Sequence, residues 1–191
     1  LRNKLKELKL TQNTIIIFTS DHGLFMGEQG LGGKALCYEK TTHVPLIIMD
    51  PKVKPKDKGI QTDALVQSID IGPTMLSFAG IEIPKSFQGK DISKTVIHTN
   101  VEVRDYVFTE NLWSTQFGNP RCESVQNKEW KYIRYYKNNT FSATKKIKVA
   151  KNFGIPENQI LYQVRDRDIA VYRDYIELPL QGEEPVYGEL Y

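Results

Sequence analysis

The chain has 191 residues, 40% hydrophobic and 26% charged, which is enough apolar content for a globular core and too much for a disordered tail. A formal net charge of +3 is small at this length, and the basic residues are dispersed except for Lys145, Lys146, Lys148 and Lys151, which argues against nucleic acid as a partner. No apolar run reaches the roughly 18 residues needed to span a bilayer, so no membrane segment is visible, and Leu1 to Leu10 alternate Leu with Lys instead of forming an apolar signal core.

In chain order, Leu1, Leu5 and Leu8 fall at helical spacing with basic residues between them, which predicts an amphipathic helix ending near Thr11 and packing on a sheet. Ile15-Ile16-Ile17-Phe18-Thr19-Ser20 is a short apolar, β-branched run, the pattern of a strand buried on both faces. Val44 to Met49 is a second such run, stopped by Asp50-Pro51. A helix followed by two doubly buried strands predicts an α/β domain with a largely parallel sheet.

From Thr62 to Ala79 the apolar spacing is helical again, with Asp70 and Pro73 placed like a helix start and Gly80 like its stop. After Pro84 the texture changes. Tyr106–Glu110, Ser124–Gln126 and Trp130–Tyr136 read as strands, with Asn127-Lys128-Glu129 as a tight connection between the last two. Along the last strand, Trp130, Tyr132, Arg134 and Tyr136 alternate with Lys131, Ile133 and Tyr135, so one of these faces packs. Lys137 to Gln159 is polar and Lys-rich and reads as a surface loop; Asp166 to Ile176 reads as a helix. The division expected is residues 1–90 for the α/β part and 91–191 for a small antiparallel C-terminal subdomain.

The chemistry sits in Thr19-Ser20-Asp21-His22-Gly23, directly after the first strand. Ligands of open α/β sheets bind beyond the carboxyl ends of strands, and a carboxylate beside an imidazole can hold a divalent cation. The plainer alternative is a strand-end turn in which His22 bonds only to backbone. Lys34, after Gly32-Gly33, is either an anion donor or an ordinary solvated lysine. His43, ahead of the second strand, reads as a half-buried structural histidine. Trp113, Arg121 and Arg134 suit the gripping of an anionic sugar, and nothing in the sequence chooses among them. Asn138-Asn139-Thr140 fits a glycosylation sequon. Cys37 and Cys122 have neither zinc spacing nor disulfide-rich density.

Taken in order, Asn13 to Gly23, Gly27-Glu28-Gln29-Gly30 with Gly33-Lys34 and Tyr38-Glu39, His43 to Ile48, Val66 to Met75 with Ala79-Gly80-Ile81, and Trp130-Lys131-Tyr132-Ile133 resemble the C-terminal part of a type I sulfatase of the alkaline phosphatase superfamily. Gly188-Glu189-Leu190-Tyr191 resembles the start of a closing motif that runs on in that family. The resemblance is dense to about Gly89 and thinner afterwards.

The resemblance implies an alkaline phosphatase-like, largely parallel sheet and metal-dependent hydrolysis of a sulfate ester, with a sulfated carbohydrate or small molecule as substrate. Asp21 and His22 would bind Ca2+, or alternatively Mg2+. His22 stands where many relatives have Asn, and imidazole is an unusual partner for a cation that prefers oxygen. Lys34 would hold a sulfate oxygen and stabilise developing charge. The family's nucleophile is a formylglycine made from Cys or Ser in a Cys/Ser-x-Pro/Ala-x-Arg motif. Neither Cys37 nor Cys122 has those neighbours, so the nucleophile is expected upstream, and this chain alone is expected to be an inactive fragment. By the same analogy the protein works in the periplasm, outside the cell or in a lysosome. Two rivals remain: a phosphodiesterase or phosphonate monoester hydrolase of the same superfamily, and an inactive homologue that binds sulfated glycans.

Overall fold

The computed structural model describes residues 1–54, 59–111, 120–137, 151, 154 and 183–191. The chain divides into two units, Leu1–Lys34 with Glu39–Val107 and Gln126–Trp130, and Ala35–Tyr38 with Phe108–Val125 and Lys131–Tyr191. Among the described residues no helix is long and apolar enough to cross a membrane.

In the first unit, helix α1 (Arg2–Glu7) is shorter than its Leu spacing predicts and buries no residue. Leu1 and Leu8 lie outside the helical segment, which leaves Leu5 alone as its apolar stripe, too little to dock on a sheet. Strands β1 (Ile16–Thr19) and β4 (Leu46–Met49) form where the two apolar runs lie and pair from Ile16↔Met49 to Thr19↔Leu46. The pair is antiparallel. A largely parallel sheet leaves room for one reversed pair, and the connection explains why this pair is reversed. A parallel return must carry the chain back across the sheet, usually on a long helix. Here the intervening chain holds a two-stranded ribbon, β2 (Phe25–Met26) with β3 (Gly32–Gly33), and only a short helix α2 (Glu39–Thr42), so it leaves and re-enters at the same end. The expected burial on both faces is not reached either. Phe18 and Ile47, partners across the pair, are 58% and 60% exposed.

The segment expected to be helical from Thr62 turns helical only at Ser68–Asp70, a single 3-10 turn that leads into α3 (Ile71–Ala79). The delay has a local cause: Gln67 is extended and its amide donates to Asp70 Oδ2 at 2.7 Å, closing a capping box ahead of the helix. Gly80 ends α3 at φ 71, as expected of a C-terminal glycine. Asp70 is fully buried and gathers four donors on its carboxylate: the amides of Gln67 and Lys90 and both terminal nitrogens of Arg104, at 2.5–2.8 Å. Its carbonyl also accepts from the Thr74 hydroxyl, which in turn accepts from the Ile92 amide. One buried carboxylate thereby ties together the helix start and the strapping segment 89–104.

In the second unit, β5 (Val107–Asn111), β6 (Arg121–Gln126), β7 (Lys131–Tyr136) and β8 (Tyr187–Leu190) form a sheet in the order β5-β6-β7-β8, with β7 and β8 antiparallel. A four-stranded sheet with an antiparallel β7–β8 pair thus forms in the stretch after Pro84, where antiparallel strands are expected. Asn127 closes the connection between β6 and β7, its Oδ1 accepting from the amides of Glu129 and Trp130. On β7 the packed face is that of Lys131, Ile133 and Tyr135, while Tyr132 and Arg134 are exposed. Ile133 and Tyr135 join Cys37 and Cys122 in the core, flanked by Leu36 and Tyr38. At the end of β8, Glu189 Oε2 accepts from the hydroxyls of Tyr38 (2.8 Å), Tyr135 (3.0 Å) and Tyr191. The expected helix Asp166–Ile176, the sequon at 138–140, Trp113 and nearly all of the expected loop Lys137–Gln159 lie outside the described residues.

Candidate metal and anion site

The site is built at the carboxyl end of β1. After Thr19 the chain turns through Ser20, whose hydroxyl donates to the His22 carbonyl at 2.9 Å, while the His22 amide donates to Asp21 Oδ1 at 3.0 Å. Gly23 follows with its amide on the Thr41 carbonyl at 2.9 Å. A Cβ on Gly23 would lie 2.0 Å from the Lys40 carbonyl oxygen, so the backbone of α2 leaves room only for glycine there. Gly23→Ala is accordingly expected to cost about 1–3 kcal/mol through overpacking. Chemical denaturation measures this, and an unchanged midpoint would contradict the contact.

From Gly23 the chain runs out along β2 and back along β3, Phe25 opposite Gly33 and Met26 opposite Gly32. The reversal needs Gly27 at φ 117, a conformation that L side chains rarely adopt. The ribbon returns Lys34 to the start of the excursion. Lys34 Nζ lies 2.6 Å from His22 Nε2, and Asp21 Oδ2 lies 3.3 Å from the same nitrogen. The structure thus brings together all three residues singled out from the sequence.

Hydrogen-bond chemistry assigns the imidazole. His22 Nδ1 is 3.0 Å from the Gly23 carbonyl, which can only accept, so Nδ1 carries the hydrogen. Nε2 is then the lone-pair nitrogen, suited to the Lys34 ammonium, which can only donate. Nε2 and Asp21 Oδ2 are therefore two electron-rich atoms 3.3 Å apart. That separation matches neighbouring corners of a coordination shell with ligand distances of about 2.3–2.6 Å. The ammonium sits where such a cation's charge belongs, and in this respect the residues present fit a divalent ion. They are an incomplete shell: among the described residues no cluster of three or more His, Cys, Asp or Glu could hold a metal. The His22 amide, donating to the Asp21 carboxylate, holds the carboxyl below its ordinary value; burial opposes this and the Lys34 ammonium adds to the lowering.

Other sequence candidates have structural work. His43 is 79% exposed, not half-buried, because it lies one turn past Glu39 and faces that carboxylate at 3.2 Å. Arg121 is fully buried against Glu183 at 2.9 Å, which removes it from any sugar. Arg134 is partly exposed and paired with Glu123. A cleft of about 370 Å³ opens beside Leu65, Arg104, Tyr106 and Lys128, but its guanidinium is committed to Asp70. Two polar centres escaped the sequence reading. Arg104 reaches Asp70 from 34 residues away, and Tyr38 meets Glu189 across 151. Nothing local in either stretch signals those partners.

Residues 27–150 match the family model described as N-sulphoglucosamine sulphohydrolase, C-terminal. The chain is 33% identical to arylsulfatase K of Mus musculus over 136 residues, 69% of this chain and 24% of the relative. To N-acetylglucosamine-6-O-sulfatase of Bacteroides thetaiotaomicron it is 31% identical over 140 residues, 71% and 25% of the two. The solved structure of BT4656 in complex with its substrate D-glucosamine-2-N,6-O-disulfate superposes with a TM-score of 0.66 at 27% identity, covering 87% of this chain and 38% of that one. The chain spans about a quarter of the length of the curated relatives it matches.

Proposed function

This chain belongs to the sulfatase family defined by the N-sulphoglucosamine sulphohydrolase C-terminal region, and from that premise we propose that it supplies the cation-and-lysine side of a sulfate-ester hydrolase acting on a sulfated carbohydrate. Its fold is the alkaline phosphatase-like α/β fold of the sulfatases. What carries the reading is the convergence of Lys34, His22 and Asp21 within 2.6 and 3.3 Å at the end of one strand. A sulfated glucosamine in a structural neighbour and an N-acetylglucosamine sulfatase among the relatives support a sugar substrate.

In this reading Asp21 Oδ2 and His22 Nε2 would hold Ca2+ or Mg2+ together with groups supplied from outside the described residues. A bound divalent cation contributes positive charge against the sulfate oxygens. The Gly23 carbonyl keeps the imidazole in the tautomer whose lone pair faces the site. That nitrogen has a single lone pair, so Lys34 and a cation cannot share it. With a cation held there, Lys34 would give up Nε2, and its ammonium would donate to a sulfate oxygen and stabilise charge as the sulfur–oxygen bond breaks. The attacking group in this reading is the family's formylglycine, which neither Cys37 nor Cys122 supplies, since neither stands in the required motif. The protein works outside the cytoplasm, in keeping with the family.

Two donors make a weak site for a cation that takes about six to eight ligands. Calorimetric titration of the 191-residue chain with CaCl2 is expected to give a dissociation constant no tighter than about 1 mM. The same preparation is expected to release no sulfate from a sulfated glucosamine. Micromolar binding, or measurable sulfate release, would show that the chain carries a complete site and would sink the two-donor reading. The phosphodiesterase rival predicts that the full reading frame turns over phosphate esters faster than sulfate esters. The glycan-binding rival predicts binding with no turnover of either.

A further inference from the structure

Cys37 and Cys122 are 85 residues apart in sequence, yet their sulfurs lie 3.5 Å apart in the core of the second unit. Both are buried, 1% and 0% exposed, and neither takes part in the proposed hydrolase chemistry. They are packed against Ile133 and Tyr135, and Cys37 Sγ also faces the Thr109 carbonyl of β5 at 3.7 Å. Closing the sulfurs to bonding distance takes about 1.5 Å.

We propose that Cys37 and Cys122 form an intramolecular disulfide when the chain folds in an oxidising environment, fastening the segment Ala35–Tyr38 to strand β6. The reaction is thiol–disulfide exchange with a small-molecule disulfide such as oxidised glutathione. The thiolate of either cysteine attacks one sulfur of the reagent and expels the other as a thiolate, leaving a mixed disulfide. The other cysteine then loses its proton and attacks the protein sulfur of the mixed disulfide, expelling the second small thiolate. Two protein thiols are oxidised, one small disulfide is reduced to two thiols, and no other oxidant is needed. Burial shields both sulfurs in the folded chain, so exchange takes place before the core closes. The inference is independent of the hydrolase reading.

The test is to unfold and reduce the chain, refold it in a buffer of reduced and oxidised glutathione, alkylate it under denaturing conditions and measure its mass. A monomer about 2 Da lighter, with both cysteines protected and one peptide linking Cys37 to Cys122, is the expected product. Its Tm should exceed that of the reduced chain by roughly 5–15 °C, because the bond closes a long loop in the unfolded state. Full alkylation of both cysteines, links only between chains, or a Tm below that of the reduced chain would overturn the proposal. The wild-type mass measurement suffices even where Cys37→Ser or Cys122→Ser fails to fold.

Discussion

Asp70→Asn is expected to lower the unfolding free energy by about 3–5 kcal/mol, the usual consequence of breaking one side of a buried charge pair. Asp70 has no exposed surface, and its partner Arg104 has a side chain only 9% exposed. All four groups on the carboxylate are donors. An asparagine keeps one acceptor oxygen and turns an amide toward the remaining donors, leaving the guanidinium uncompensated as well. Arg104→Lys keeps the charge but loses the paired geometry, and should cost less. Urea unfolding with an unchanged slope measures both, and a loss under about 1 kcal/mol for Asp70→Asn would refute the role given to this carboxylate.

The pH dependence has a definite sign. Burial by itself would raise the pKa of Asp70, but Arg104 and the Lys90 and Gln67 amides outweigh it and hold the carboxyl below its ordinary value. A carboxyl lowered by folding contributes stability that is present above the unfolded pKa of about 3.9 and is lost as pH falls through the lower folded value. The difference between wild type and Asp70→Asn should therefore shrink in acid.

The second large effect concerns catalysis. In the product of the full reading frame, Lys34→Ala is expected to reduce the turnover of a sulfated glucosamine by about 10²–10³-fold, the range for removing one donor aimed at developing charge. The loss should appear in kcat, since the donor matters most as the sulfur–oxygen bond breaks. His22→Ala acts differently, raising the calcium concentration needed for activity while leaving Lys34 in place. If Lys34→Ala kept activity within about 3-fold, the ammonium would be a surface lysine that merely lies near His22.

Much of the site was legible because it is local. A β-branched run, a carboxylate and imidazole at its end, and glycines spaced for a reversal are all properties of neighbouring residues. The ribbon that returns Lys34 to His22 spans only 12 residues. Asp70 and Gly80 likewise marked the ends of α3, Asp70 as the residue before it and Gly80 as its left-handed stop. The rest depends on partners far along the chain. An apolar run does not encode strand direction, which is why the antiparallel pairing of β1 with β4 was not legible in it. The Leu spacing of α1 predicted packing that a six-residue helix does not make. Arg104 and the tyrosines around Glu189 have no local signature, since their meaning comes from residues that folding brings to them.

The most direct test of the central claim is to express the full reading frame containing this chain and compare inorganic sulfate released from a sulfated glucosamine with phosphate released from the matching phosphate ester, each with and without a calcium chelator. The proposal predicts sulfate release that dominates and collapses on chelation; faster phosphate release, or sulfate release indifferent to the chelator, would contradict it.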